Sequence, residues 1–290
     1  MNNELFGFAL GHIDIGSGIA LACGGLVVGF IVGLTGVGGG SLMTPLLILL
    51  FGIKPHLAIG TDLLFAAITK SGALPNLIRQ RRIDWPVVGL LGLGSVSASL
   101  ATMKFMQMRG PASDSWQTLS CHLLGAMLVL TAISMLYKVW RTKPHPKLLI
   151  QGLTDPTSPV DALENSKRPL TFQKSLACIL LGIALGIMVT LTSVGAGAIG
   201  TAVLIALFPA MPLARIVGND IAHAIPLTLV AGLGHAWLGT VDWLMLAWLL
   251  VGSLPGIWLG THSFKRVSER WVRGGLSLLL AYAGIRLALT

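Results

Sequence analysis

Among the ionisable residues inside apolar stretches of this 290-residue chain are Asp62, Lys70, Asp220 and His223. A charged side chain at hydrocarbon depth costs about 3 kcal/mol or more on insertion scales, so each needs a partner or a task. Asp62 closes "GTD" (60–62) and Asp220 closes "GND" (218–220). Their matched settings make them candidates for proton or cation coupling. His223, one helical turn beyond Asp220 on the same face, joins them. The structural alternative for the aspartates is helix capping, or bonding to backbone left open by a broken helix. Lys70 lies two turns from Asp62 in the same run. Snorkelling would require a climb of about 12 Å, eight residues at 1.5 Å each, which is beyond one side chain. Lys70 is therefore expected to attract an anion, or to pair across helices with a carboxylate such as Asp220.

Two glycine-rich stretches supply the second chemical signal. "TGVGGGS" (35–41) and "TSVGAG" (192–197) each interrupt apolar runs. Glycine costs about 1 kcal/mol in a helix interior, so both read as breaks. Open backbone at membrane depth is tolerated only where protein buries it or a cavity receives it. A half-helix starting at such a break presents free N–H groups and a positive dipole end to an anion. The candidate substrate-binding residues are Thr35, Gly38, Gly39, Gly40, Ser41 and Lys70 in the first half. Thr192, Ser193, Gly195 and Gly197 are their counterparts in the second. The alternative is that the glycines permit close helix packing.

Other patterns carry less. "GAGAIG" (195–200) matches a dinucleotide fingerprint, but an 18-residue apolar span precedes it in place of a strand, so no such site is expected. Asp84-Trp85 and Asp242-Trp243 read as helix caps with interfacial tryptophans. Lys70 and Ser71 are adjacent, and their side chains diverge on a helix, which gives no catalytic dyad. No H-E-x-x-H occurs. Cys23, Cys121 and Cys178 are scattered in apolar runs and read as packing. No catalytic residue, metal or cofactor is expected.

The elements that position these residues are membrane spans. The chain is 54% hydrophobic and 11% charged, with mean hydropathy +0.81, too apolar to cover a soluble surface. Apolar segments fall at 17–34, 41–53, 57–78, 85–103, 117–140, 175–192, 198–211, 213–238, 243–261 and 271–289. The second and seventh are short, as half-helices or re-entrant pieces would be. "TGVGGG" matches "TSVGAG" at a shift of 157. At a shift of 158, "GTD" matches "GND", "IDW" (83–85) matches "VDW" (241–243), and Gly94-Ser95 matches Gly252-Ser253. Five segments per copy is an odd number, so the second copy is expected to be inverted.

Loop charge agrees with that parity. With the N-terminus outside, 15 of the 20 Lys and Arg fall on the cytoplasmic side, which also accounts for the net charge of +9 without a nucleic-acid partner. The start "MNNELFGF" lacks the basic region of a cleavable signal, so the first span is expected to be retained. The expected fold is an all-α polytopic membrane protein of two inverted-topology repeats, residues 1–140 and 175–290. Residues 141–174 form a cytoplasmic linker between them.

The stretch "GFIVGLTGVGGGSLMTPLLILLFGIKPHLAIGTDLLFAAITKSGAL" resembles the signature region of the TauE/SafE family of sulfite exporters, and the resemblance extends over the whole chain. The second half departs from the pattern, with only Gly195, Gly197 and Gly200 and no proline matching Pro45. The resemblance implies a carrier of sulfite, sulfonates and related sulfur anions. The expected function is thus a secondary transporter exporting a small sulfur-containing oxyanion, with ion or proton coupling. An anion channel or an uptake permease for the same anions stands as the alternative. The expected setting is a cell (inner) membrane. The expected partners are that anion and the lipid bilayer, with a homodimer as an option and no nucleic acid.

Overall fold

The computed structural model describes residues 15–35, 42–109, 114–141, 171–263 and 269–289. Eleven helices occur among them: α1 (Ile15–Thr35), α2 (Met43–Leu49), α3 (Pro55–Ser71), α4 (Leu74–Arg79), α5 (Trp85–Arg109), α6 (Asp114–Arg141), α7 (Phe172–Thr192), α8 (Ala198–Leu207), α9 (Leu213–Trp237), α10 (Trp243–Ser263) and α11 (Glu269–Ala288). No strand appears among the described residues. Among the described residues, seven spans are long and apolar enough to cross a membrane. Their outward faces carry bare apolar side chains such as Leu93, Leu100, Leu233 and Trp258, as a lipid-facing surface does. The protein is a polytopic helical membrane protein.

Each apolar segment of the sequence contains a helix, with two differences of extent. The run 57–78 is not one helix, because α3 ends at Ser71 and α4 starts at Leu74. Pro75 has no N–H to give the Ser71 carbonyl, and the Ala73 N–H bonds to Lys70 O at 3.0 Å instead. The run 41–53 holds only the seven residues of α2. At 1.5 Å per residue, α2 and the ten-residue α8 span about 10 and 15 Å, half or less of a hydrocarbon core.

The sequence offsets reappear as helix boundaries. Adding 157 to the ends of α1 gives the ends of α7, and adding 158 to the starts of α3 and α5 gives those of α9 and α10. Packing follows the same offsets. The most extensive pairings join the two parts of the chain: α1 with α10, α5 with α7, α6 with α11, and α3 with α9. A Cβ on Gly25 would fall 2.5 Å from the Leu249 carbonyl oxygen, and one on Gly182 would fall 2.3 Å from that of Leu91. Gly29 and Gly186 meet the Ser253 and Ser95 carbonyls in the same way, and Gly252 and Gly94 meet those of Ala22 and Ile179.

These contacts also fix helix direction. Along α1 and α10 the touching residues rise together, as they do along α5 and α7. In the other two pairs they run in opposition. Gly60 meets Thr240 while Gly232 meets Leu64, and Gly125 meets Ala288 while Gly284 meets Val129. So α3 is antiparallel to α9, and α6 is antiparallel to α11.

Candidate functional site

The second glycine stretch forms a buried break. α7 ends at Thr192, Ser193 turns left-handed at φ 58°, and α8 begins after Gly197. Gly195 and Gly197 hold φ of 129° and 126°, a region that side-chain-bearing residues rarely enter. Residues 192–198 are all buried, so this irregular backbone is covered by protein. The Thr192 hydroxyl is engaged in the turn, bonding to Met188 O at 2.7 Å and Val194 O at 3.1 Å. In the first stretch, Thr35 is the last residue of α1. Gly38, Gly39, Gly40 and Ser41 lie outside the described residues.

Asp62 sits at the meeting point of three elements and is wholly buried. From α2, Thr44 Oγ1 donates to its Oδ2 at 2.5 Å. From the break after α7, Ser193 Oγ donates to the same oxygen at 2.9 Å. Across on α9, the Asp220 carboxylate lies against the first turn of α8. A Cβ on Gly200 would fall on Asp220 Oδ1, so only glycine leaves room there. His223, also buried, places Nε2 2.8 Å from Ser95 Oγ on α5.

Lys70 is buried at 6% exposure, and the carboxylates acting on it are Asp220 and then Asp62. His223 feels the same ammonium. One cation, two carboxylates and one imidazole thus share a single electrostatic neighbourhood built from α3 and α9. Asp62, Lys70, Asp220 and His223 share that neighbourhood, and Ser193 is bonded to Asp62.

The G-T/N-D tripeptides have a further use. A Cβ on Gly60 would fall 2.2 Å from the Thr240 carbonyl oxygen, and one on Gly218 would fall 2.4 Å from that of Arg82. Thr61 Oγ1 accepts the Asp242 N–H at 3.0 Å, while Asn219 Oδ1 accepts the Asp84 N–H at 2.6 Å. Each tripeptide therefore seats the loop that starts the other half's next helix. Asp84 and Asp242 cap those helices as expected, accepting the Val87 and Met245 N–H groups.

The sequence model of the sulfite exporter TauE/SafE family matches residues 21–287, nearly the whole chain, including every part of this cluster. The chain belongs to the TauE/SafE sulfite exporter family. Among its relatives, the probable membrane transporter protein YjnA of Bacillus subtilis is 36% identical over 266 residues, covering 91% of this chain and 96% of the relative. YdhB of the same species, also a probable membrane transporter protein, is 27% identical over 90% and 96%. One from Xylella fastidiosa is 28% identical over 86% and 85%. No solved structure matches.

In this TauE/SafE protein, sequence reasoning did not single out Thr44 or Ser95 for the site. Both carried a signal. Thr44 matches Thr201 at the shift of 157, and Ser95 matches Ser253 at 158. A polar residue repeated in register at a helix start or packing seam is one the fold reuses.

Proposed function

We propose that the chain is a secondary transporter that exports a small sulfur-containing oxyanion, sulfite or an organosulfonate, through a site between its two halves. The observation that carries this reading is the buried Lys70 ammonium within electrostatic reach of Asp220 and of Asp62, whose carboxyl is bonded to Ser193 in the broken helix. A lone cation at that depth attracts an anion, and two flanking carboxylates give the site groups that can change charge as it loads. The backbone amides of 35–41 and 192–197 are assigned to the anion's oxygens. The Thr192 and Ser193 hydroxyls, expected from the sequence to join them, already donate to Met188 O and Val194 O and to Asp62 Oδ2.

Membership of a sulfite exporter family supports the sulfur oxyanion class. The antiparallel packing of α3 on α9 and of α6 on α11, between segments matched in sequence, supports two inverted-topology repeats that alternate access to one site. The basic loops support a cytoplasmic 141–174 with both termini outside. An inside-negative potential contributes about 2.3 kcal/mol per charge per 100 mV toward export of an anion carried without a countercharge.

Proteoliposome flux with sulfite, sulfate, thiosulfate, taurine and sulfoacetate tests the reading. Saturable counterflow of sulfite or a sulfonate is expected, with sulfate excluded or weak. Unitary currents in place of saturable counterflow would make the protein a channel, and no flux of any member would remove the substrate class.

A further inference from the structure

The carboxyl group of Asp62 is held asymmetrically. Its Oδ2 accepts two hydroxyl hydrogens, from Thr44 and from Ser193. Its Oδ1, shielded from solvent, has no hydrogen-bond partner among the described residues. A buried carboxylate ordinarily needs donors on both oxygens. One oxygen with two donors and the other with none is instead the pattern of a neutral acid. The carbonyl oxygen accepts, and the hydroxyl at Oδ1 is left to donate. His223 presents a second orphan of the same kind, since Nε2 is engaged with Ser95 and Nδ1 has no partner among the described residues.

The charged and titratable groups acting in this neighbourhood are Lys70 from α3 and Asp220 and His223 from α9. α2 adds the Thr44 hydroxyl and backbone N–H, and the break after α7 adds the Ser193 hydroxyl; neither adds a titratable group. No titratable side chain of α6 or α10 is among the groups acting on Asp62.

An oxyanion offers acceptors and no donors. An ionised Oδ1 facing it is an unpaired acceptor that repels it, whereas a protonated Oδ1 donates to it. We propose that the anion and one proton occupy this site together, with the proton on Asp62 Oδ1, so that the transporter carries the pair in one direction and does not exchange one for the other. This rests on the anion-transport reading above and names its coupling. A proton from solution forms the Oδ1–H bond as the anion enters, and it returns to solution on the far side when the anion leaves. Lys70 is the second donor. A monovalent anion then moves with no net charge, the potential term for an uncompensated anion does not apply, and export requires an outward anion gradient that exceeds any inward proton gradient.

Purified wild-type protein in weak buffer, mixed with methanesulfonate and with sulfite, gives the direct test. Methanesulfonate stays ionised throughout, so any pH change on its binding belongs to the protein. At a pH high enough to ionise Asp62 in the empty site, the expected result is uptake of one proton per anion bound, falling to none at lower pH where the acid is already neutral. Affinity is expected to fall about tenfold per pH unit once Asp62 ionises, because a ligand that requires a bound proton loses it by mass action. In proteoliposomes, acid outside is expected to drive accumulation inside. Asp62→Asn, whose amide is a permanent donor, is expected to lose the tenfold-per-unit pH slope of affinity and the pH-driven accumulation.

Proton release on binding, or accumulation driven by acid on the opposite side, would make the protein an exchanger and overturn the inference. So would a pH slope retained in Asp62→Asn and abolished in His223→Gln, which moves the proton to the imidazole. Anion binding with no proton exchanged at any pH overturns it while leaving the anion reading intact. Absence of saturable binding and counterflow for both probes at every pH removes the anion reading and the inference with it.

Discussion

Lys70 is the residue on which the anion assignment stands. Its side chain is buried between α3 and α9, with carboxylates from both helices acting on it. Lys70→Met keeps length and apolar bulk while removing the charge. Anion affinity is expected to fall by about 1–3 kcal/mol, roughly 5- to 150-fold, the range for a lost charge-assisted hydrogen bond. Equilibrium binding measures it, and unchanged affinity would return the lysine to a structural role. Asp84 is the contrasting case at the membrane rim, where the task is capping. Burial raises its carboxyl above the ordinary value, against the opposing Arg215 charge and Val87 N–H. The folded state therefore holds that proton more tightly than the unfolded chain. The contribution of Asp84 to stability is greatest at low pH and declines as pH rises through the raised value. Asp84→Asn, an equal cap, is expected to retain stability and remove that slope, while Asp84→Ala costs about 1 kcal/mol. Thermal melts against pH separate the two, and equal losses in both variants would deny the cap.

The helices are joined less by large side chains than by the lack of them. Gly25, Gly29, Gly252 and Gly256 let α1 and α10 approach to backbone contact, and Gly94, Gly182 and Gly186 do the same for α5 and α7. In lipid the hydrophobic drive between helices is absent, so close van der Waals packing at small residues carries association. Gly182→Leu is accordingly expected to part α5 from α7 and lower the yield of folded protein severalfold. Gly89→Leu, where nothing lies within 4 Å of the added Cβ, is expected to match the wild type. Size-exclusion profiles in mild detergent compare them, and similar profiles for both would mean that this seam is not needed for folding. The break between α7 and α8 shows the other use of glycine, because Gly195 and Gly197 are needed there for their backbone angles.

Across the whole molecule, the two halves exchange contacts instead of folding side by side. Each half's G-T/N-D tripeptide holds the other's helix start, and Ser193 of one half donates to Asp62 of the other. A separately expressed half is thus left with unpaired groups at its own site. Orientation is the property of the whole that loop charge predicts, with 15 of 20 Lys and Arg on one side. A cysteine replacing Thr157 in the linker is expected to resist an impermeant thiol reagent in intact cells and to react after permeabilisation. Labelling of intact cells would reverse the topology.

The sequence by itself determined the class of protein, because hydropathy over 18 to 25 residues leaves few alternatives to a membrane span. The offsets of 157 and 158 read in it reappear as the ends of α7 and the starts of α9 and α10. The sequence also located Asp62, Lys70, Asp220 and His223 because an ionisable group in an apolar run is conspicuous. Only the tertiary structure decided which groups meet. That Thr44 and Ser193 meet Asp62, and Ser95 meets His223, does not follow from their repeat positions alone, because hydroxyls are common in spans and often bond to their own helix, as Thr102 and Thr228 do. The division of α3 from α4 was equally hidden. A proline inside an apolar run continues the helix at Pro226 but coincides with the break at Pro75. What each freed carbonyl finds next to it is a matter of packing, and packing is settled between segments far apart in the chain.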